Sequence, residues 1–168
     1  MAAGKTSLTA DLRRLGVNAG DLVMVHSSLR SLGMVNDGAQ TVVDAVLDVL
    51  GPSGTLVGPS FTFGSVGSAS FVFDVLKTPS EMGAVSEEIR RRAGRRRSVH
   101  ASHSVSVIGP LAPELFASYG ESAWDSESRH LTKPPQRASF PLQNGGSKTD
   151  LDFFGQVTYG LLGQIRGR

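Results

Sequence analysis

Four apolar residues, Leu22-Val23-Met24-Val25, run without a break into His26-Ser27-Ser28. A continuous apolar run of this length predicts a strand buried on both faces, and such strands belong in sheets covered by helices. From Ala39 to Leu50 the apolar residues Val42, Val43, Val46, Leu47, Val49 and Leu50 recur at helical spacing, with Asp44 and Asp48 one turn apart on a polar face. Gly51-Pro52-Ser53-Gly54 stops that helix and turns the chain into a second apolar strand, Thr55 to Val57. Strand, helix and strand in this order predict a right-handed βαβ unit. Around it, Ser7 or Thr9 is expected to cap a helix through Leu15, and Ser80 a helix from about Met82 to Arg92. Val105, Val107 and Ile108 make a third strand, and Leu111 to Tyr119 a short helix. The expected architecture is α/β, three layers (α/β/α) with a mixed, largely parallel central sheet.

The chemistry sits where the first strand ends. His26, Ser27, Ser28, Ser31 and Gly33 leave hydroxyls and backbone N–H groups at the carboxyl end of a buried strand. Open α/β sheets bind ligands in the crevice at such ends. The alternative is a serine-rich turn with no ligand at all.

Composition narrows the class. The chain has 168 residues and no cysteine, so a disulfide framework, a thiolate nucleophile and a cysteine-based metal site are excluded. Its length suits one domain of ordinary size. No apolar run approaches the ~20 residues of a membrane span. Met1-Ala2-Ala3-Gly4-Lys5 lacks the apolar core of a signal peptide, and a cytoplasmic location is the expectation. Charge is uneven: residues 1–89 carry five basic and nine acidic side chains, whereas Arg90, Arg91, Arg92, Arg95, Arg96 and Arg97 are a basic run with no acid. Such a run either meets phosphates or is a solvated helix end, with Gly94 as its C-cap. It holds no aromatic residue to stack on bases, which counts against nucleic acid.

From Glu121 to Asp150 apolar residues are few, and Pro134-Pro135 and Asn144-Gly145-Gly146 break any pattern. This predicts a boundary near residue 120, with 1–120 as the ligand-binding α/β domain and 121–168 as a polar, Gly-rich tail packed on it or poorly ordered. Leu151 to Ile165 is apolar again, cut by Gly155, Gly160 and Gly163, and reads either as a late strand pair or as an interface patch that could pair two copies of the chain as a homodimer.

Three blocks in order carry a resemblance: His26-Ser27-Ser28-Leu29 through Gly33; Phe73-Asp74 with Thr78-Pro79-Ser80 and Met82-Gly83; and Arg97-Ser98-Val99-His100 with His103-Ser104-Val105 through Gly109-Pro110. In this order and spacing, over about residues 8–119, the chain resembles the aminoglycoside 3-N-acetyltransferases, the antibiotic N-acetyltransferase family. That family usually has Met and Thr where this chain has Gly58 and Ser60, and Pro-Thr where it has Ala101 and Ser102. Family members run about a hundred residues longer, and nothing after about Ser122 fits their pattern. The resemblance implies acetyl-CoA as donor and an aminoglycoside amine as acceptor, with no metal and no nucleic-acid or membrane partner. It places His26, Ser27, Ser28, Leu29, Ser31, Gly33, Thr78, Met82, Gly83, Ser104 and Val105 along the cofactor.

The acceptor is a polycation, for which Asp74 is the candidate carboxylate; a solvated aspartate is the alternative. The attacking amine must be neutral, so a base is required. The family's proposed catalytic histidine lies in a Ser-Leu-His stretch followed by a glutamate. Here His130 follows Arg129 and no such glutamate follows, so the catalytic residue is left unassigned. Gly4-Lys5-Thr6 lacks the glycine and strand of a phosphate loop. No Gly-x-Ser-x-Gly elbow precedes a helix, and His100 and His103 have no third metal ligand near them in sequence.

Overall fold

The structure, a computed structural model, describes residues 2–65 and 68–116 and the backbone pairing of Thr158–Tyr159. The element order is α1 (Lys5–Arg14), β1 (Leu22–Val25), a 3-10 turn (Leu29–Leu32), α2 (Ala39–Leu50), β2 (Thr55–Pro59), α3 (Ala84–Ala93), β3 (Val105–Ile108), α4 (Ala112–Phe116) and β4 (Thr158–Tyr159). The sheet runs β3-β2-β1-β4. β1 lies parallel to β2 (Val23 opposite Leu56) and to β4, and β2 antiparallel to β3 (Val57 opposite Val107). Among the described residues the sheet is therefore mixed, with two of three pairings parallel.

β3 is reversed for a local reason. After α3 the chain passes along the outer edge of β3, where Val107 N–H donates to the Arg96 carbonyl at 2.9 Å and Ser98 N–H to the Val105 carbonyl at 2.9 Å. Residues 99–104 then turn the chain back, so β3 is the return limb of a hairpin and must oppose β2.

Alternation along the strands assigns the two faces. Val23, Val25 and Leu56 pack with Leu8, Leu12, Val42, Val46, Val85 and Ile89, so α1, α2 and α3 share one face. Met24, Val57, Val105 and Val107 pack with Phe61, Ala112 and Leu115 on the other, beneath α4. α2 occupies the bounds its spacing predicts. α1 begins a turn earlier than expected, because Ser7 reaches back to Gly4: its Oγ accepts from Gly4 N–H at 3.1 Å and donates to the Gly4 carbonyl at 2.8 Å. α3 is capped by Gly83, not Ser80, whose hydroxyl instead donates to the Pro59 carbonyl at 3.2 Å. Residues 117–119 of the last expected helix, the boundary near 120, His130 and the Leu151–Ile165 segment (β4 apart) lie outside the described residues.

Gly58 lets helix and sheet approach closely. A Cβ there would sit 2.9 Å from two carbons of Ile89, so α3 lies directly on the sheet at that point.

Candidate functional site

Because β1 and β2 are parallel and β3 opposes them, the ends Val25 and Pro59 and the start Val105 lie at one edge of the sheet. Three chain segments meet there. After β1, His26 and Ser27 are half-buried, and Ser27 Oγ is buried without a hydrogen-bond partner among the described residues. Ser28 is exposed and opens the 3-10 turn; its carbonyl accepts from both Ser31 N–H (3.0 Å) and Ser31 Oγ (2.7 Å). Leu29 and Leu32 turn inward to the core, which anchors the turn.

The second segment, 78–83, is laced to the chain leaving β2. Glu81 N–H donates to the Phe61 carbonyl at 2.8 Å. The Glu81 carboxylate accepts from Gly64 N–H (2.6 Å), Ser65 N–H (3.1 Å) and Ser65 Oγ (2.5 Å), and these hydrogen bonds hold it below the ordinary glutamate range. Met82 packs into the Met24–Val57–Phe61 cluster. Gly83, at φ 93°, comes up to Ser27: a Cβ on it would lie 3.9 Å from the Ser27 carbonyl oxygen.

The third segment carries the imidazoles. His100 Nδ1 accepts from Ser102 N–H (3.2 Å) and His103 N–H (2.9 Å), while Ser102 Oγ lies 2.7 Å from His103 Nδ1. The two rings stand at 90° with centroids 5.4 Å apart. His103 also meets Phe63 edge-on at 4.6 Å and Phe61 at 5.4 Å, and Phe61 in turn faces His26 at 6.4 Å. Phe61 is thus the hub around which the segments are arranged. Sequence reading misses it, since a phenylalanine two residues beyond a strand has no periodicity to mark it.

The predicted residues divide accordingly. His26, Ser27, Met82 and Gly83 are brought together, with Ser28, Ser31 and Gly33 on the adjoining turn. Ser104 and Val105 are fully buried, and Ser104 Oγ donates to the Ser60 carbonyl at 2.8 Å. Thr78 is buried as well, its Oγ1 accepting from Asp74 N–H at 2.8 Å. Asp74 closes the same turn, accepting from Leu76 N–H (2.8 Å) and Lys77 N–H (3.0 Å), which keeps its carboxyl below the ordinary range.

Half of the arginine run is internal architecture. Arg90 donates twice to Glu87 (2.8 and 2.7 Å), Arg92 bridges α3 to Asp44 of α2 (2.5 Å), and Arg97 is buried. Arg91, Arg95 and Arg96 are exposed. Arg95 and Arg96 line a concavity of about 250 Å3 with Pro110, Pro113 and Phe116, which contains none of the residues predicted for the site.

Burial holds the His26 imidazole below its usual range, so the folded protein keeps it neutral while the unfolded chain protonates near pH 6.5. The resulting stability is complete above that pH and is lost as pH falls through the folded value. His26→Gln should flatten the decline of Tm below about pH 6.5; an unchanged Tm–pH curve would show that the ring is not desolvated.

Comparison with known proteins follows the same geography. A sequence model described as Aminoglycoside 3-N-acetyltransferase matches residues 24–126, more than half of the chain and all three segments. Aminoglycoside N(3)-acetyltransferase III of Salmonella sp is 34% identical over 125 residues, covering 65% of this chain and 44% of that protein. The solved structure of AAC-VIa bound to sisomicin matches with TM-score 0.66 and 34% identity, over 76% of this chain and 54% of that one. AAC-IIIb in binary complex with CoASH matches with TM-score 0.60 and 26% identity, over 70% and 50%. The chain thus spans less than half the length of the curated relative and about half of the solved ones. With a family match over its whole described cleft and two solved acetyltransferases sharing the fold, the chain belongs to the aminoglycoside 3-N-acetyltransferase family.

Proposed function

We propose that the chain binds acetyl-CoA at the His26–Gly33 segment and transfers the acetyl group to the 3-amino group of an aminoglycoside. The observation that carries this reading is the buried Ser27 hydroxyl, without a partner among the described residues, in the residue whose carbonyl Gly83 approaches, inside the segment matched to the family. A buried hydroxyl left unpaired costs about 1–3 kcal/mol, so a ligand that pairs it is favoured there. The solved relative holding CoASH supports the donor class, and the one holding sisomicin the acceptor class.

When bound, acetyl-CoA would supply a thioester carbonyl; direct attack by the neutral amine, with no acyl-enzyme intermediate, would form the amide C–N bond, break the C–S bond and pass the amine's proton to the departing CoA sulfur. Ser27, Ser28 and the N–H groups of the 3-10 turn bind and orient its polar chain, with Leu29, Met82 and Gly83 beside it. Thr78, Ser104 and Val105 hold the surrounding loops in place, and Asp74 draws in the cationic acceptor. Acetylation removes one positive charge with which such antibiotics bind ribosomal RNA, so the outcome is resistance. The same reading puts the chain in the cytoplasm, with its donor and the ribosome. Among the described residues no helix is long and apolar enough to cross a membrane.

A second reading is CoA binding without turnover. It rests on the residues around His130, which follows Arg129 and has no glutamate of the expected kind after it, so the base that the amine needs is unassigned. One assay separates the two. Because the protein has no cysteine, CoA thiol released from acetyl-CoA can be followed with a thiol reagent free of protein signal. Release that depends on added aminoglycoside establishes the transferase; CoA binding without release establishes the second reading.

Ser27→Ala provides a sharper check on the placement. Removing an unpaired buried hydroxyl should leave Tm unchanged or raise it, while CoA affinity falls by on the order of tenfold. Equal loss of both, by calorimetry and thermal melts, would mean that Ser27 is structural.

A further inference from the structure

We propose that Arg97 is the positioning residue of the CoA site, setting the height of the 78–83 segment against Ser27; the proposal rests on the CoA reading given above. Arg97 is 3% exposed, in the middle of the protein's end-of-sheet loops. Its Nε donates to Ser104 Oγ at 2.9 Å, one terminal nitrogen to the Ser60 carbonyl at 2.8 Å, and the other to the carbonyls of Thr78 and, at 3.5 Å, Val75. The plane lies over the Phe73 ring, 4.8 Å from its centroid. Ser104 Oγ, which accepts from Arg97, donates onward to the same Ser60 carbonyl, so the three partners close on one another.

What the guanidinium joins explains its use. Ser60 follows β2, Ser104 precedes β3, and Val75 and Thr78 belong to the loop that continues into Met82 and Gly83. Among the described residues no carboxylate lies within ion-pair distance of Arg97, so a full charge is held by neutral oxygens and the Phe73 ring. Burial and the nearby Arg90 lower its pKa to about 10, which still leaves it charged at neutral pH. For stability alone, well-packed apolar residues commonly replace a buried charge at little cost or even a gain. They cannot supply five N–H donors in a rigid plane, which fix three chain segments at once. From Thr78, two short steps carry the constraint to the site: Ser80 Oγ holds the Pro59 carbonyl and Glu81 N–H the Phe61 carbonyl, which delivers Gly83 to the Ser27 carbonyl. A loosened Thr78 therefore displaces Gly83, not merely the protein's outer loops.

The test uses the full chain with Arg97→Lys, which keeps the charge and loses the fork, and Phe73→Leu, which removes only the ring beneath it. Melting temperature, CoA Kd by calorimetry well below the lowest Tm, and amide exchange at residues 80–83 are read together. The expected result is a CoA Kd raised by about tenfold in Arg97→Lys and less in Phe73→Leu, the order of one ligand hydrogen bond lost when the segment shifts. Faster exchange at 80–83 should accompany it, with α2 unaltered. Millimolar guanidinium should restore part of the affinity to Arg97→Ala. Variants that melt earlier but, when folded, bind CoA like the wild type overturn the role of Arg97 and leave the CoA reading standing. A wild-type chain that does not bind CoA overturns both; unchanged exchange at 80–83 overturns the positioning role whatever CoA does.

Discussion

Ser28→Trp is expected to eliminate measurable CoA binding, a loss of more than about 100-fold, with a stability change within about 0.5 kcal/mol. The two halves of that expectation have separate causes. Ser28 is exposed, makes no side-chain cap hydrogen bond, and has φ −107° and ψ 116°, an extended conformation in which aromatic residues are well accommodated. Its carbonyl, which organises the 3-10 turn by accepting from Ser31, is untouched by the substitution. The fold should therefore tolerate the indole. The proposed path of the CoA chain over the His26–Gly33 turn does not have room for it. Calorimetric titration with CoA and a urea melt on the same sample decide the matter. Binding at wild-type affinity would remove the donor from this loop.

Gly109→Ala is expected to destabilise the protein by roughly 3–5 kcal/mol, a large fraction of the stability of an ordinary domain. Gly109 follows β3 at φ 142°, where L side chains are strained. A Cβ there would also lie 2.5 Å from the Gly54 carbonyl oxygen and 2.6 Å from Thr55 Cα. These are backbone atoms at the start of β2, and they cannot rotate away as a side chain would. The clash exists only if β3 lies antiparallel to β2 in the register that pairs Leu56 with Ile108. Urea unfolding with an unchanged m-value would confirm the cost. A loss under about 1 kcal/mol, well short of a backbone clash, would mean that this register is wrong.

How much of this was legible beforehand depended on whether a residue's role is local. Val42 to Leu50 carries its own helical period, and α2 occupies the predicted bounds. Gly94, as expected, ends α3 with φ 58°. Ser80 is an ordinary N-cap residue by type, so local sequence points to it as the cap of α3, whereas the structure uses Gly83. The Ser80 hydroxyl is drawn to Pro59, distant in sequence, and its N–H to the Glu87 carboxylate at 2.8 Å. The arginine run is the clearest case. Six residues alike in charge became two ion-paired braces, one buried cross-link and three solvated side chains, and nothing in their spacing could sort them. Phe61 likewise acquired its place from neighbours in two other segments.

The sequence by itself determined the α/β class, the βαβ start, the family and the strand-end loop that holds Ser27, because each is written in contiguous residues or in the order of motifs. Only the tertiary structure decided the direction of β3, the burial of Arg97 and Ser104, and the meeting of Ser27 with Gly83. Those depend on contacts between segments tens of residues apart, where hydrogen-bond partners and close packing, not local propensity, select the arrangement.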